Sequence, residues 1–220
     1  RVFGEEMGAT LKAGPSGLDV DELDDYCHHL VVRETKTGQV VGCTRLLNGA
    51  DAKRFGRFYS EGEFDLGPIR ELPGNLLEVG RTCISAECRD GAAIAVLWAG
   101  VASYIRVHAI DYLFGCASMP LGENDCQAAA IMSRLRRHAM AADRLRVTPR
   151  LPLLATEMTD DVLDAPLPTL VKAYVRLGAL ACGEPCRDPD FEVADVLMLL
   201  DVDDLNPSYA RHFLVRTAGH

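Results

Sequence analysis

The chain has 220 residues, of which 48% are hydrophobic and 25% charged, and its formal charge is −9. Such a composition makes a soluble globular protein long enough to bury a sizeable core, and the acidic balance excludes general binding to nucleic acid. The longest apolar run, Ala92 to Ile105, lies between Asp90 and Arg106. It falls short of the about 20 residues that cross a bilayer and reads as a core helix.

Taken in order, the chain opens on Arg1 rather than methionine, and Arg1 to Gly8 reads as the end of a helix whose beginning is missing. Lys12 to Gly17 is a loop. Asp19, Asp21, Glu22, Asp24 and Asp25 then crowd carboxylates ahead of a strand, His28 to Arg33. Such density repels itself unless a cation lies near, so this loop is either a solvated acidic cap or one wall of a cation-binding site. Thr37-Gly38-Gln39 turns the chain into a returning strand, Val40 to Leu47. Arg45 in that strand either points outward or meets the acidic loop, and ion pairing would explain both features at once. Asn48 to Asn75 is a Gly/Pro-punctuated excursion whose aromatics, Phe55, Phe58, Tyr59 and Phe64, tack it to the core.

Leu76 to Ile84 reads as a buried strand, followed by a charged turn ending Cys88-Arg89-Asp90-Gly91 and then the helix from Ala92. Glu78 and Arg81 are costly charges for such a strand, since an unpaired buried charge costs several kcal/mol. They are therefore either used in function or form a structural ion pair. Strand, glycine turn and helix start together make a place where backbone N–H groups hold a phosphate.

Asp111 to Ser118 is another strand, and Asn124 to about Leu145 reads as a helix. Arg134, Arg136, Arg137, Arg144, Arg146 and Arg150 fall in and after it with only Asp143 to oppose them. That basic segment either faces an acidic partner or an anionic membrane surface, or is a solvated helix face. Leu151 to Pro168 is irregular, and Thr169 to Leu177 is a helix stopped by Gly178. Ala179 to Glu184 and Ala194 to Val202 read as strands around a turn at Asp188-Pro189-Asp190, before a last helix from Asn206-Pro207 through Leu214. The eight cysteines are scattered and read as free thiols of a reducing compartment. Cys182 and Cys186 lack a second Cys/His pair with ligand spacing, so no metal is expected. The order of elements suggests an α/β or α+β sheet covered on its faces by helices.

Val2-Phe3-x-Glu5-Glu6-Met7, Asp21-Glu22-Leu23-Asp24, Gly42-Cys43-Thr44-Arg45-Leu46-Leu47, Glu78-Val79-Gly80-Arg81 and Leu113-Phe114-Gly115-Cys116 together resemble the ornithine-lipid N-acyltransferases. These belong to the Gcn5-related acetyltransferase (GNAT) superfamily and are relatives of the acyl-homoserine-lactone synthases and N-acyl amino acid synthases. The likeness covers nearly the whole chain, including Gly183 to Phe191 and Asn206-Pro207-x-Tyr209-Ala210-Arg211. It implies a single GNAT-type domain over residues 1–220, its N-terminal helix truncated, with a mixed central sheet splayed at the catalytic strand and helices on both faces. The implied reaction moves a 3-hydroxy fatty acyl group from acyl carrier protein to the α-amine of ornithine, giving lyso-ornithine lipid. No cofactor is held permanently, because acyl-phosphopantetheine on the carrier protein is a co-substrate.

The resemblance also implies roles. Glu78 and Arg81 occupy the catalytic positions, and Asp21, Asp24 and Arg45 become an ion-paired wall for the amino acid. Arg89, Gly91, Ala92 and Ala93 match the phosphopantetheine loop, although Cys88 stands where that loop starts with a hydrogen-bonding side chain. An arginine that the lactone synthases carry four residues before the phenylalanine matching Phe3 would lie before Arg1. Arg134, Arg136, Arg137, Arg144 and Arg146 are the expected docking face for acyl carrier protein. A cytoplasmic enzyme in peripheral contact with the inner membrane follows, because its product is a lipid. Three other readings stay open: an N-acyl amino acid synthase for glutamine, glycine or an aromatic acceptor, an acyl-homoserine-lactone synthase, and a non-enzymatic acyl- or lipid-binding module. The lactone synthases place a tryptophan soon after that phenylalanine, whereas Trp98 is the only one here.

Overall fold

A computed structural model describes residues 2–6, 8, 18–153 and 165–205. The expected loop at 12–17 and the last helix from Asn206 lie outside these residues. Val2–Glu6 is a short π-helical turn, and the elements that follow are β1 (His28–Arg33), β2 (Val40–Asn48), α1 (Gly49–Phe55), β3 (Phe64–Asp65), α2 (Gly67–Arg70), β4 (Leu76–Ile84), α3 (Ala92–Val107) and β5 (Tyr112–Pro120). The chain then runs through α4 (Cys126–His138), β6 (Thr148–Pro149), α5 (Thr169–Leu177), β7 (Leu180–Ala181), β8 (Cys186–Asp188) and β9 (Val193–Asp201). Two compact units share it: the first takes the described residues up to Phe58 together with Gly74–Leu113, and the second takes Tyr59–Pro73 and Phe114–Leu205.

In the first unit β1, β2 and β4 form an antiparallel ladder. The β1–β2 hairpin closes where Glu34 N–H donates to the Gln39 carbonyl at 2.8 Å, and Gly38 supplies the left-handed backbone that the turn needs. Directly opposed residues share a sheet face, and alternate residues along a strand return to it. The pairs His29↔Arg45, Arg45↔Gly80 and Leu47↔Glu78 therefore put His29, Arg45, Leu47, Glu78 and Gly80 on one face. Leu30, Thr44, Leu46 and Val79 take the other, against which α3 packs. A Cβ on Gly100 of α3 would sit 2.7 Å from Leu30, so glycine there permits the close approach. Val32, Ile84, Ala93 and Leu97 complete this apolar layer.

The register changes inside β4. Between the pairs Arg45↔Gly80 and Cys43↔Cys83, β2 has only Thr44 while β4 has Arg81 and Thr82. This is a β-bulge, and Arg81 adopts a left-handed φ of 51° within it. Thr44 Oγ1 donates to the Gly80 carbonyl at 3.1 Å and lies 2.8 Å from Thr82 Oγ1, fixing the bulge from the helix-covered side.

The expected excursion from Asn48 to Asn75 is more regular than its Gly/Pro content suggests. It contains α1, a 3₁₀ turn at Tyr59–Gly62, β3 and α2. Asn48 caps α1 by accepting from Asp51 N–H at 3.0 Å, and Gly56 ends it in the left-handed conformation. Two turns are too short to show a helical period in sequence. Phe58 and Phe64 are buried, as their tacking role requires.

In the second unit β5 lies beside β9, while β7 and β8 pair antiparallel with successive stretches of β9. The closing strand expected at Ala179–Glu184 shrinks to Leu180–Ala181, and β8 forms a pairing that the sequence did not suggest. Helix α4 is shorter than the expected span from Asn124 to Leu145. Asn124 and Asp125 both have left-handed φ, so the helix starts after them. At its other end the chain is drawn into extended pairing: Ala181 N–H donates to the Ala139 carbonyl at 2.7 Å and Ala141 N–H to the Ala181 carbonyl at 2.9 Å. These non-local bonds outweigh the helical preference of the arginine-rich stretch. Helix α5 matches its expected span and ends at Gly178, whose φ is 109°.

Candidate active site

Glu78 is 4% exposed and Arg45 7%, and the ladder register sets both on the sheet face away from α3. The acidic loop closes over Arg45. Arg45 Nη1 donates to Asp21 Oδ1 and Oδ2, each at 2.7 Å, and to Asp24 Oδ1 at 3.0 Å. The loop is shaped for this contact. Asp24 Oδ2 accepts from Asp21 N–H and Asp21 Oδ1 from Leu23 N–H, each at 2.9 Å, and Leu23 itself is buried. Burial alone would raise the Asp21 carboxyl, but the Arg45 hydrogen bonds and charge, with help from Leu23 N–H and Arg81, hold it below its ordinary range. Of the two readings of Arg45, the one in which it meets the acidic loop is the one observed.

Glu78 and Arg81 are three positions apart, a spacing that in a regular strand directs side chains to opposite faces. The bulge removes that conflict. Arg81 Nη1 reaches Asp19 Oδ2 at 2.6 Å, Arg81 Nη2 lies 3.7 Å from Asp21 Oδ2, and the guanidinium stands 5.5 Å from the centre of the Phe3 ring. Two arginines from adjacent strands thus grip one acidic loop. Asp19 was not singled out by sequence reasoning; its only signal was membership of the acidic run.

The turn before α3 gathers Arg89, Gly91, Ala92 and Ala93. Gly91 has a φ of 101°, and Arg89 is held by Nε donation to the Ile84 carbonyl at 3.0 Å and by an ion pair with Glu6 at 2.6 Å. Ala92 N–H donates to Asp90 Oδ1 at 3.0 Å, so this expected phosphate donor already has an acceptor. The Ala93 side chain is turned into the apolar layer beneath α3.

The arginine segment belongs to the second unit and is less one-sided than its sequence suggests. Arg136 forms a two-pronged ion pair with Glu184, which lies 48 positions away. Arg146 pairs with Asp143 at 3.0 Å, and Arg150 Nε donates to the Glu61 carbonyl at 2.7 Å. Arg134 is half-buried, whereas Arg137 and Arg144 are exposed. Elsewhere in this unit Glu63, Asp188 and Asp195 bring carboxylate oxygens within 4.8 Å of one another, a grouping that a cation would suit and that no local spacing announces. Burial pushes Asp195 up to about 6 against a hydrogen bond from Ser118. All eight cysteines are free thiols, and burial drives Cys27 and Cys182 up to about 12.

Residues 1–99 match the family described as an acetyltransferase (GNAT) domain. Over 234 aligned residues the chain is 35% identical to the L-ornithine N(alpha)-acyltransferase of Rhodobacter capsulatus, spanning 99% of this chain and 88% of that protein. It is 34% identical to the enzyme of the same name from Rhizobium meliloti, over 97% of this chain and 77% of the other. Among solved structures it resembles the CoA-dependent acyl-homoserine lactone synthase BjaI, with a TM-score of 0.58 at 15% identity over 98% of this chain and 76% of that one. It also resembles FeeM, an N-acyl amino acid synthase from uncultured soil microbes, with a TM-score of 0.52 at 14% identity over 93% of this chain and 87% of that one. The family match and the structural likeness together show a GNAT-like fold.

Proposed function

We propose a reaction from one premise: the chain belongs to the L-ornithine N(alpha)-acyltransferase family and is an N-acyltransferase of ornithine. In the proposed reaction a 3-hydroxyacyl thioester of acyl carrier protein meets the ornithine α-amine. A C–N bond forms, the C–S bond breaks, and phosphopantetheine leaves as a thiol. The thioester is itself the activated group, so the chemistry needs no resident cofactor. What remains for the protein is to deliver a neutral amine, steady the tetrahedral oxyanion and align the two substrates.

The observation that carries this reading is the Arg45–Asp21–Asp24 cluster on the same sheet face as buried Glu78. Glu78 takes the amine proton, directly or through a water. Arg45 and Arg81 set the acidic loop as the wall for the amino acid. Asp19, Asp21 and Asp24 bring three negative charges against the two positive charges of these arginines. That surplus suits the second ammonium group of ornithine better than the neutral side chain of glutamine. Backbone N–H groups about Val79 to Thr82 face the oxyanion, since a bulge leaves ladder groups free for such use. Gly91 and Ala93 receive the phosphopantetheine phosphate at the start of α3, and Arg89 flanks them.

The acceptor wall is tested by Asp24→Asn. This change keeps the side-chain volume and removes one charge, so the KM for ornithine is expected to rise about tenfold or more, the loss of one charge-assisted hydrogen bond, with the donor KM nearly unchanged. A rise confined to the donor would assign the loop to the other substrate.

The carrier-protein donor is tested on the exposed arginines. Carrier proteins are acidic, and encounter with a chain of net charge −9 needs a local basic face. Because Arg136 already pairs with Glu184, exposed Arg137 and Arg144 are the better candidates of the group. Changing both to Glu is expected to raise the KM for acyl carrier protein several-fold at low salt while leaving an acyl-pantetheine thioester unaffected. Added salt should shrink the difference, since exposed charges are screened over about 8 Å at physiological ionic strength. Equal damage with both donors would place these arginines in the fold or pocket instead. No response from either would leave a solvated face or the proposed contact with the inner membrane, and among the described residues no helix is long and apolar enough to cross one.

A further inference from the structure

Cys43 of β2 and Cys83 of β4 stand directly opposite each other across the antiparallel ladder, with Sγ atoms 3.4 Å apart. Opposed residues in such a ladder have Cα atoms about 4.5–5.5 Å apart, inside the range that a disulfide spans. Both side chains are partly exposed. They also share the sheet face of the acceptor wall. Cys43 lies two positions before Arg45, and Cys83 lies two positions after Arg81, on the far side of the bulge.

We propose that Cys43 and Cys83 are a reversible thiol–disulfide site, closed by small-molecule disulfides such as oxidised glutathione, and that closure slows acyl transfer. The contact between the two thiols, in which either sulfur can donate, favours one thiolate in the pair; His29 helps to place it on Cys43, which is brought down to about 7 against the effect of burial, while the contact and burial push Cys83 up. Cys43 is therefore the attacking sulfur. Its thiolate displaces one sulfur of the oxidant, giving a Cys43 mixed disulfide and one thiolate. Cys83 then loses its proton, attacks Cys43 Sγ and expels the second thiolate. In sum, two protein thiols and one small disulfide become one protein disulfide and two small thiols, with two electrons and two protons passing to the oxidant. Closing the gap from 3.4 Å to the about 2.0 Å of an S–S bond ties β2 covalently to β4 beside the bulge that aims Arg81 and restrains it. The slowing rests on the acceptor reading given above; the cross-link does not.

The test treats the intact reduced protein with oxidised glutathione, blocks remaining thiols with maleimide and maps the digest by mass spectrometry. Expected is a Cys43–Cys83 cross-linked peptide, lighter by two hydrogen atoms than the reduced pair and restored by dithiothreitol. Cys83→Ser should instead trap glutathione on Cys43, and Cys43→Ser should leave Cys83 open to maleimide. A wild-type digest with both cysteines alkylated, or one that stops at a glutathione adduct, would overturn the site. In parallel, oxidised wild type is expected to lose several-fold in ornithine acylation and to regain it on reduction, with Cys43→Ser indifferent to the oxidant. A complete cross-link with full activity would sink the regulatory half alone, and a protein inactive towards ornithine even when reduced would count against the acceptor reading rather than against the cross-link.

Discussion

Glu78→Gln is expected to lower turnover by about 10²-fold or more while the protein stays folded. An amino-acid amine is largely protonated at neutral pH, given that even a chain α-amino group titrates near about 8, so attack on the thioester needs a group that takes the proton away. Glu78 has the required setting. It is nearly excluded from solvent, its strand is fixed by β2 on one edge, and it shares a face with the Arg45 cluster. Glutamine keeps the shape and hydrogen-bonding capacity but cannot accept that proton. The loss should therefore fall on kcat, with a smaller change in the KM values. A variant with near wild-type rate and an unchanged urea midpoint would remove Glu78 from the mechanism. Loss of stability with an unaltered rate in the folded fraction would return it to a structural ion pair.

Arg45→Met should produce the largest combined loss of stability and acceptor binding. Removing one partner of a buried ion pair typically costs about 3–5 kcal/mol, and partial exposure of the two carboxylates brings the expected cost here to about 2–4 kcal/mol. Asp21 and Asp24 remain 27% and 23% exposed at their side chains, which lets water recover part of the missing interaction. The pH dependence follows from the sign of the Asp21 shift. Its folded-state carboxyl is held below the ordinary value, so its contribution is present above about pH 4 and is lost as pH falls through the depressed folded value. Without Arg45 the largest lowering interaction disappears while burial remains, so the folded-state value of Asp21 rises and its protonation costs the folded state less or favours it. The variant's stability deficit relative to wild type should therefore narrow as pH falls, as read from urea midpoints across an acid series. Coincident acid profiles would mean that Arg45 does not govern Asp21, and an unchanged KM for ornithine would detach the cluster from the acceptor.

What the sequence disclosed, and what it withheld, divides along physical lines. β4, the start of α3 and all of α5 were legible because long apolar runs end at glycine or a charged turn. The pairing of Arg45 with the acidic loop was one of two readings, since a charge in a strand has to find a partner or water. The bulge was not legible. Glu78 and Arg81 look mismatched by strand parity, and only an extra residue in β4 sets Arg81 against the loop that Arg45 holds. Partners far apart in sequence were hidden for the same reason: Asp19 for Arg81, Glu184 for Arg136 and Cys83 for Cys43 are each chosen by the fold. Helix α1 escaped notice because two turns between Asn48 and Gly56 carry caps but no period.

The most direct measurement is a competition. The protein is incubated with 3-hydroxyacyl carrier protein, the matching acyl-CoA and an equimolar pool of amino acids, with isotopic labels distinguishing the two acyl groups, and the products are identified by mass and fragmentation. One dominant product is expected, ornithine acylated on its α-amine with its side-chain amine free, carrying the label of the carrier-protein donor. A dominant product on another amino acid or on the ornithine side chain, or one carrying the CoA label, would contradict it.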